Sequence, residues 1–192
     1  MIGEVALGIL LTIAAIQDLK TREIDPRIFI ASAAPAAMLI YLNWGSPLYL
    51  FSLAIGAALA LSMRLLGAGY ADSIALALIS AAPPVLFLPT PFVVVIAGSL
   101  LLPLTMLWLY LKNRKRPCQM SALEKITHVC VSRQEFLKNP LKYIVGEVKD
   151  MEKYNPTAIK TEKEWIKARY GLPYLAYLAV GYWAYITIRT LS

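Results

Sequence analysis

The chain has 192 residues, 58% of them hydrophobic and only 16% charged, and its mean hydropathy of +0.58 lies well above that of an ordinary water-soluble domain. This composition marks an integral membrane protein and excludes a large soluble catalytic domain. The formal charge of +7 is local: residues 112–169 hold 14 Lys/Arg against 7 Asp/Glu, while the rest of the chain balances at 5 against 5.

A spanning helix takes roughly 20 residues, so a chain of this length with one polar insert allows about six crossings. Apolar runs fall at 2–17, 28–44, 47–66, 73–88, 92–111 and 172–188, each short but sufficient where flanking residues reach the interface. The first run starts at Met1-Ile2-Gly3-Glu4 without a basic region and ends at Gln17-Asp18 without a small-residue cleavage site. It reads as a retained first helix and not a signal peptide. Pro35 and Pro103 fall inside the second and fifth runs, where neighbouring helices can satisfy the freed carbonyls.

The loops are of two kinds. Residues 43–47 and 88–91 carry no charge, whereas 18–27 carries Lys20, Arg22 and Arg27, Arg64 stands near the end of the third run, and Lys112, Arg114, Lys115 and Arg116 follow the fifth. Loops rich in Lys and Arg stay cytoplasmic. The N-terminus and tail are therefore expected outside, with 18–27, 65–72 and 112–171 cytoplasmic; Arg189 is the one mild exception. The expected fold is an all-α membrane protein of six transmembrane helices: 1–111 is a five-helix membrane region, 112–171 a small basic cytoplasmic subdomain, and 172–192 the sixth helix and tail.

Within the insert, 121–126 and 161–166 have helix-start character, Asn139-Pro140 and Asn155-Pro156 punctuate, and a strand is expected around 142–148. Its basic surplus implies attraction to anionic membrane lipid. Nucleic acid is not expected as a partner, because acids are interspersed and no recognised fold signature is present. Cys118 and Cys130 form no CxxC pair and the single His128 has no nearby metal partner. A disulfide or zinc framework is therefore not expected, and two idle thiols beside a surface imidazole are.

Outside the insert there are five acids, Glu4, Asp18, Glu23, Asp25 and Asp72. Asp18 ends the first run and Asp72 precedes the fourth; two crossings separate them, so both return to the cytoplasmic face. Ionisable groups bordering hydrocarbon are costly, and two that can converge suggest a shared task. Two carboxylates a few ångströms apart share a proton, so one can activate water while the other donates to a peptide carbonyl. That chemistry needs no metal, cofactor or covalent intermediate. Taken singly, Asp72-Ser73 also reads as a helix N-cap and Asp18 as an ordinary interfacial charge.

Gly67-Ala68-Gly69-Tyr70-Ala71-Asp72 resembles the GxGD signature of intramembrane aspartyl peptidases, in the GxAD form associated with the archaeal branch of the type IV prepilin peptidase family, which includes preflagellin peptidases. Asp18-Leu19-Lys20-Thr21-Arg22-Glu23-Ile24 is similar to that family's first aspartate block, although Asp25-Pro26 stands where many members have Pro-Asn. The stretch from Gly171-Leu172-Pro173 to Gly181-Tyr182 is similar to the opening of its last helix. The resemblance implies an aspartic endopeptidase, with Asp18 and Asp72 catalytic, that removes a short basic leader from a prepilin or preflagellin-type precursor. It also implies no methyltransferase activity, since the paired CxxC motifs of bacterial bifunctional members have no counterpart. Gly67, Gly69 and Ala71 would keep the turn before Asp72 tight. Lys20 and Arg22 are expected as topology determinants first and dyad partners second, and Glu23 and Asp25 as solvated loop acids first and leader contacts second. A proton-coupled transporter using the two aspartates as a relay is the rival reading, but such sites lie near mid-membrane at a repeat interface, and no repeat is evident.

Overall fold

The computed structural model describes residues 1–146, 148, 150–155 and 164–192, with the side chain of Glu152 left aside. It is mostly helical and divides into two compact units, Met1–Ser99 with Pro173–Ser192, and Leu100–Leu172.

The first unit is built of helices whose ends are written into the sequence. α1 (Ile2–Thr21) is followed by α2 (Pro26–Asn43), α3 (Pro47–Leu65) and α4 (Tyr70–Ile79), then α5 (Thr90–Ser99) and the last helix of the chain, α9 (Tyr174–Leu191). Asp25 caps α2 by accepting from the Arg27 amide at 2.9 Å, and Ser46 caps α3, each with proline at the first helical turn, where a missing N–H costs nothing. Pro35 is accommodated inside α2 without ending it. Connections of three or four residues between α1, α2, α3 and α4 make consecutive helices antiparallel. Gly3 of α1 meets Leu39 of α2, and Glu4 of α1 meets Arg189 of α9. The core joins Leu7, Leu11 and Ala14 of α1 to Ala75, Leu76 and Ile79 of α4 and to Leu175, Leu178 and Tyr182 of α9.

α5 and α9 pack most closely. A Cβ on Gly181 would fall on the Val94 carbonyl oxygen and one on Gly98 on that of Tyr177; small residues of this kind let helix backbones approach where no water drives them together.

Two expectations about the spans are corrected. The run 73–88 is not one helix: α4 ends at Ile79, and ten residues make only about 15 Å. Pro83 and Pro84, followed by Leu86 and Phe87 at φ 51° and 62°, cannot continue a helix. The freed carbonyls are met by side chains. The Tyr49 hydroxyl donates to Ala81 at 3.0 Å, the Tyr185 hydroxyl donates to Pro83 at 2.8 Å, and the Thr90 hydroxyl lies 2.9 and 2.7 Å from the Ala82 and Pro83 oxygens. That is the condition on which irregular backbone survives inside an apolar bundle. The run 92–111 is likewise interrupted at residues 100–101, before Pro103. Among the described residues three helical stretches are long and apolar enough to cross a membrane, Ile2–Thr21, Pro47–Leu65 and Thr90–Asn113.

The second unit holds α6 (Leu102–Asn113), α7 (Ala122–Thr127), β1 (His128–Ser132), α8 (Arg133–Lys138), β2 (Tyr143–Ile144) and β3 (Trp165–Tyr170). The helix expected at 121–126 forms, with the reciprocal Ser121–Glu124 capping box. The all-α expectation is corrected by an antiparallel three-stranded sheet in the order β1-β3-β2. Val129 and Val131 are β-branched and pack with Phe136, Ile166 and Ala168 on Leu109 of α6. β2 falls inside the strand expected at 142–148, of which residue 147 lies outside the described residues. The helix start at 161–166 lies partly outside them too, and its last two residues, Trp165 and Ile166, open β3 instead.

Cys118 and Cys130 are joined in a disulfide, with Cα atoms 5.8 Å apart, against the expectation of idle thiols. Their spacing in sequence carries no information on pairing; β1 brings Cys130 to the 118 loop. Glu135 ties the unit together, accepting from Lys112 Nζ at 2.8 Å and the Tyr143 hydroxyl at 2.9 Å, with Arg116 at 3.8 Å. Burial pushes its carboxyl up, but these donors and charges outweigh it and hold Glu135 below the ordinary range.

Candidate active site

Asp18 lies in the last turn of α1 and is 8% exposed. Four residues on, Arg22 adopts φ 64°, a left-handed conformation uncommon outside glycine, and turns its guanidinium back so that Nη1 lies 3.3 Å from each Asp18 oxygen. Arg22 is thus an ion-pair partner of Asp18, while Lys20 is exposed. Beyond the helix, Gln17 Oε1 accepts from the Asp25 amide at 3.0 Å. With Lys20, Thr21, Glu23 and Ile24 these residues line an open groove of about 390 Å³. Asp25 spends one oxygen on the α2 cap; Glu23 is exposed, its backbone held by the Thr21 hydroxyl at 2.9 and 3.3 Å.

Asp72 is half-buried in the first turn of α4, three positions after the N-cap residue Gly69. It is therefore not the N-cap, although the helix N-terminus still favours its charge. Gly67 takes φ 89°, which a Cβ would resist, and its amide bonds to the Arg64 carbonyl at 3.1 Å. Gly69 uses an ordinary extended conformation, and Ala71 packs on the core. Arg64 stacks 4.1 Å over the Tyr70 ring and donates to the Ala68 carbonyl at 3.2 Å, which holds the 66–69 turn against the end of α3.

Both aspartates stand at the same end of the first unit. α1 and α4 each pack on α2 and on α9. Glu4 and Arg189 mark the opposite end, 2.8 Å apart, and Tyr174, at the start of α9, lies within electrostatic reach of the Asp72 carboxylate. Two features escaped the sequence reading. The nearness of Tyr174 to Asp72 is one, and the other is that Arg189, the exception to the charge rule, neutralises a Glu4 that is 1% exposed. Elsewhere on α9, Tyr177, Tyr182 and Tyr185 are buried, and Trp183 Nε1 donates to Thr12 at 2.9 Å.

Among the described residues no three of His, Cys, Asp and Glu gather as a metal-binding group. What Asp18 and Asp72 offer is a pair of carboxylates at helix ends beside polar loops, able to exchange protons with water. No protein-family model matches this chain and no curated protein matches it, so the likeness to prepilin and preflagellin peptidases rests on the residues around those two aspartates.

Proposed function

We propose that this protein is a membrane-embedded aspartic endopeptidase that removes a short basic leader from precursors of the archaeal pilin or archaellin type. One observation carries the reading: of the five acids outside the second unit, Glu4 is neutralised across the bundle, Asp25 caps a helix and Glu23 is exposed in the loop between α1 and α2, while Asp18 and Asp72 share one end and the same two partner helices.

In the proposed reaction the two carboxylates hold one proton between them and titrate as a unit. The ionised member takes a proton from water as the oxygen attacks the scissile carbonyl carbon; the protonated member donates to the carbonyl oxygen. Collapse of the tetrahedral gem-diol breaks the C–N bond and returns a proton to the departing amine, which leaves a carboxylate and an amine. The substrate end must be unwound, since a helical peptide group is engaged in its own hydrogen bond. The groove at Gln17 sets Glu23 and Asp25 against Lys20, and its two acids would meet the basic leader.

Six passes with a cytoplasmic active site complete the reading: α1, α2, α3, α4 with its irregular continuation, α5–α6 and α9. The charge rule supports the sidedness. A disulfide on that side belongs to the intracellular proteins of hyperthermophiles and is otherwise unusual.

The test is cleavage of a synthetic precursor, a basic leader joined to an apolar helix, by the detergent-solubilised protein. Asp18→Asn and Asp72→Asn should each abolish cleavage while the protein stays folded. Full activity in either variant removes the dyad, and proton flux through reconstituted vesicles without proteolysis would favour the transporter.

A further inference from the structure

α2 and α3 follow one another through the three-residue turn Trp44-Gly45-Ser46, a connection that ordinarily lays consecutive helices side by side. Here they part. α2 packs on α1 and α4, α3 packs on α4 and α5, and among the described residues α2 and α3 do not pack along one another. The two helices therefore bound an opening that closes at the 44–46 turn and faces the end of the unit where Pro26 begins α2, Leu65 ends α3 and both aspartates stand.

The back of the opening is α4. Tyr70, Ile74 and Ala77 are spaced four and three residues apart and so share one face of that helix. All three are exposed, although α4 is packed on α2, α3, α5 and α9. Ala75, Leu76 and Ile79, on the other side of the same helix, are sealed in the core. Ten residues make about 15 Å of helix, so the apolar stripe backs the half of the opening next to the aspartates. Asp72 stands on the core side, toward Tyr174 of α9, and the turn Gly67-Ala68-Gly69 at the head of α4 lies between it and the stripe.

The charges at the open end discriminate between occupants. Arg64, on the α3 side, stacks 4.1 Å over the Tyr70 ring. On the α2 side, the groove ahead of the helix carries Glu23 and Asp25 beside one cation, Lys20. An anionic lipid would be repelled by those acids. A peptide helix with basic residues at its N-terminal end suits both sides: its apolar face lies on α4, the way a helix lies in an apolar groove, while its basic end is drawn to the acids and kept off Arg64.

We propose that the opening between α2 and α3 is the docking surface for the apolar helix of the precursor, seated on Tyr70, Ile74 and Ala77, with the leader crossing the 67–69 turn to reach Asp18 and Asp72. The identity of the occupant rests on the peptidase reading; its seat does not.

Two experiments on the full chain test this. In the first, p-benzoylphenylalanine replaces Ile74 in the Asp18→Asn variant, and irradiation with the synthetic precursor should capture its apolar helix. The same group at Ile9, exposed on α1 outside the opening, should not. Equal capture from both positions, or capture of lipid alone at position 74, overturns the docking surface. In the second, Ala77→Trp, which fills the stripe, should slow cleavage of the precursor about tenfold. It should leave unchanged the cleavage of a soluble peptide that holds the leader and scissile bond without the helix, and Ile9→Trp should alter neither. An equal loss on both substrates, or none on either, overturns the proposal; if Ala77→Trp does not fold, Ile74→Trp replaces it under the same criteria. Should the wild-type protein cleave neither substrate while position 74 still captures the helix, the peptidase reading falls and the docking surface stands.

Discussion

α1 carries an acid near each end, and each acid meets an arginine, but the two pairs are built differently. Glu4 is sealed from solvent and reaches Arg189, 185 residues later, on another helix. Asp18 meets Arg22 within its own last turn, at 3.3 Å to both oxygens, beside a polar groove and at the end of the unit that also holds Asp72. The first pair closes two helices on each other. The second is local, near a polar groove and at the end of the unit that also holds Asp72. Burial of a carboxylate therefore does not by itself identify a working site; the nature of its partner and its access to solvent do.

The largest effect that tests this contrast is catalytic. Asp18→Asn should lower precursor cleavage by at least about a thousandfold, as removal of one member of a cooperating catalytic group does, with a smaller fall in the thermal midpoint than Arg189→Met, because asparagine keeps an oxygen toward Arg22. The mirror experiment is Arg189→Met, which leaves the buried Glu4 only the N-terminal ammonium, 3.2 Å from its other oxygen. A buried charge deprived of its partner costs about 3 kcal/mol, so the detergent-solubilised protein should melt several degrees lower while the folded fraction cleaves at the wild-type rate. Should Arg189→Met lose cleavage at full stability, or Asp18→Asn lose stability first, the division between a stapling end and a working end fails. Between these lies Gly181→Ala: its Cβ would meet the Val94 carbonyl oxygen, and overpacking of that kind costs about 1–3 kcal/mol, read as a lowered midpoint from the α5–α9 crossing.

How far the sequence carried each end follows from the same contrast. The Asp18–Arg22 pair is local and legible, as are Pro26 and Pro47 opening α2 and α3 behind their caps. Glu4 and Arg189 were both noticed, one as an acid and one as an exception, but no property of a single sequence joins positions that far apart. Hydropathy reports apolar length and not backbone path, so 73–88 looked like one helix although Pro83-Pro84 lay inside it, and the hydroxyls of Tyr49, Thr90 and Tyr185 that make the break tolerable come from three other segments. β1 was hidden for a related reason. Its three central residues are all buried, Cys130 on one face beneath the disulfide and the two valines on the other, so the period of two that announces a strand was absent.

The smallest predicted effect separates two neighbours at the stapling end. Tyr182 and Tyr185 stack at 5.4 Å and are both inaccessible to solvent, but the Tyr185 hydroxyl donates to the Pro83 carbonyl at 2.8 Å, whereas that of Tyr182 has no hydrogen-bond partner among the described residues. Removing a made bond leaves the Pro83 oxygen with less, so Tyr185→Phe should cost about 1 kcal/mol; removing an unmade one takes away only a desolvated hydroxyl, so Tyr182→Phe should be neutral or slightly stabilising. Thermal midpoints of the two variants check this. A larger loss in Tyr182→Phe than in Tyr185→Phe would mean that the hydroxyl at position 182 works with the Glu4–Arg189 pair, and that the stapling end carries a polar network of its own.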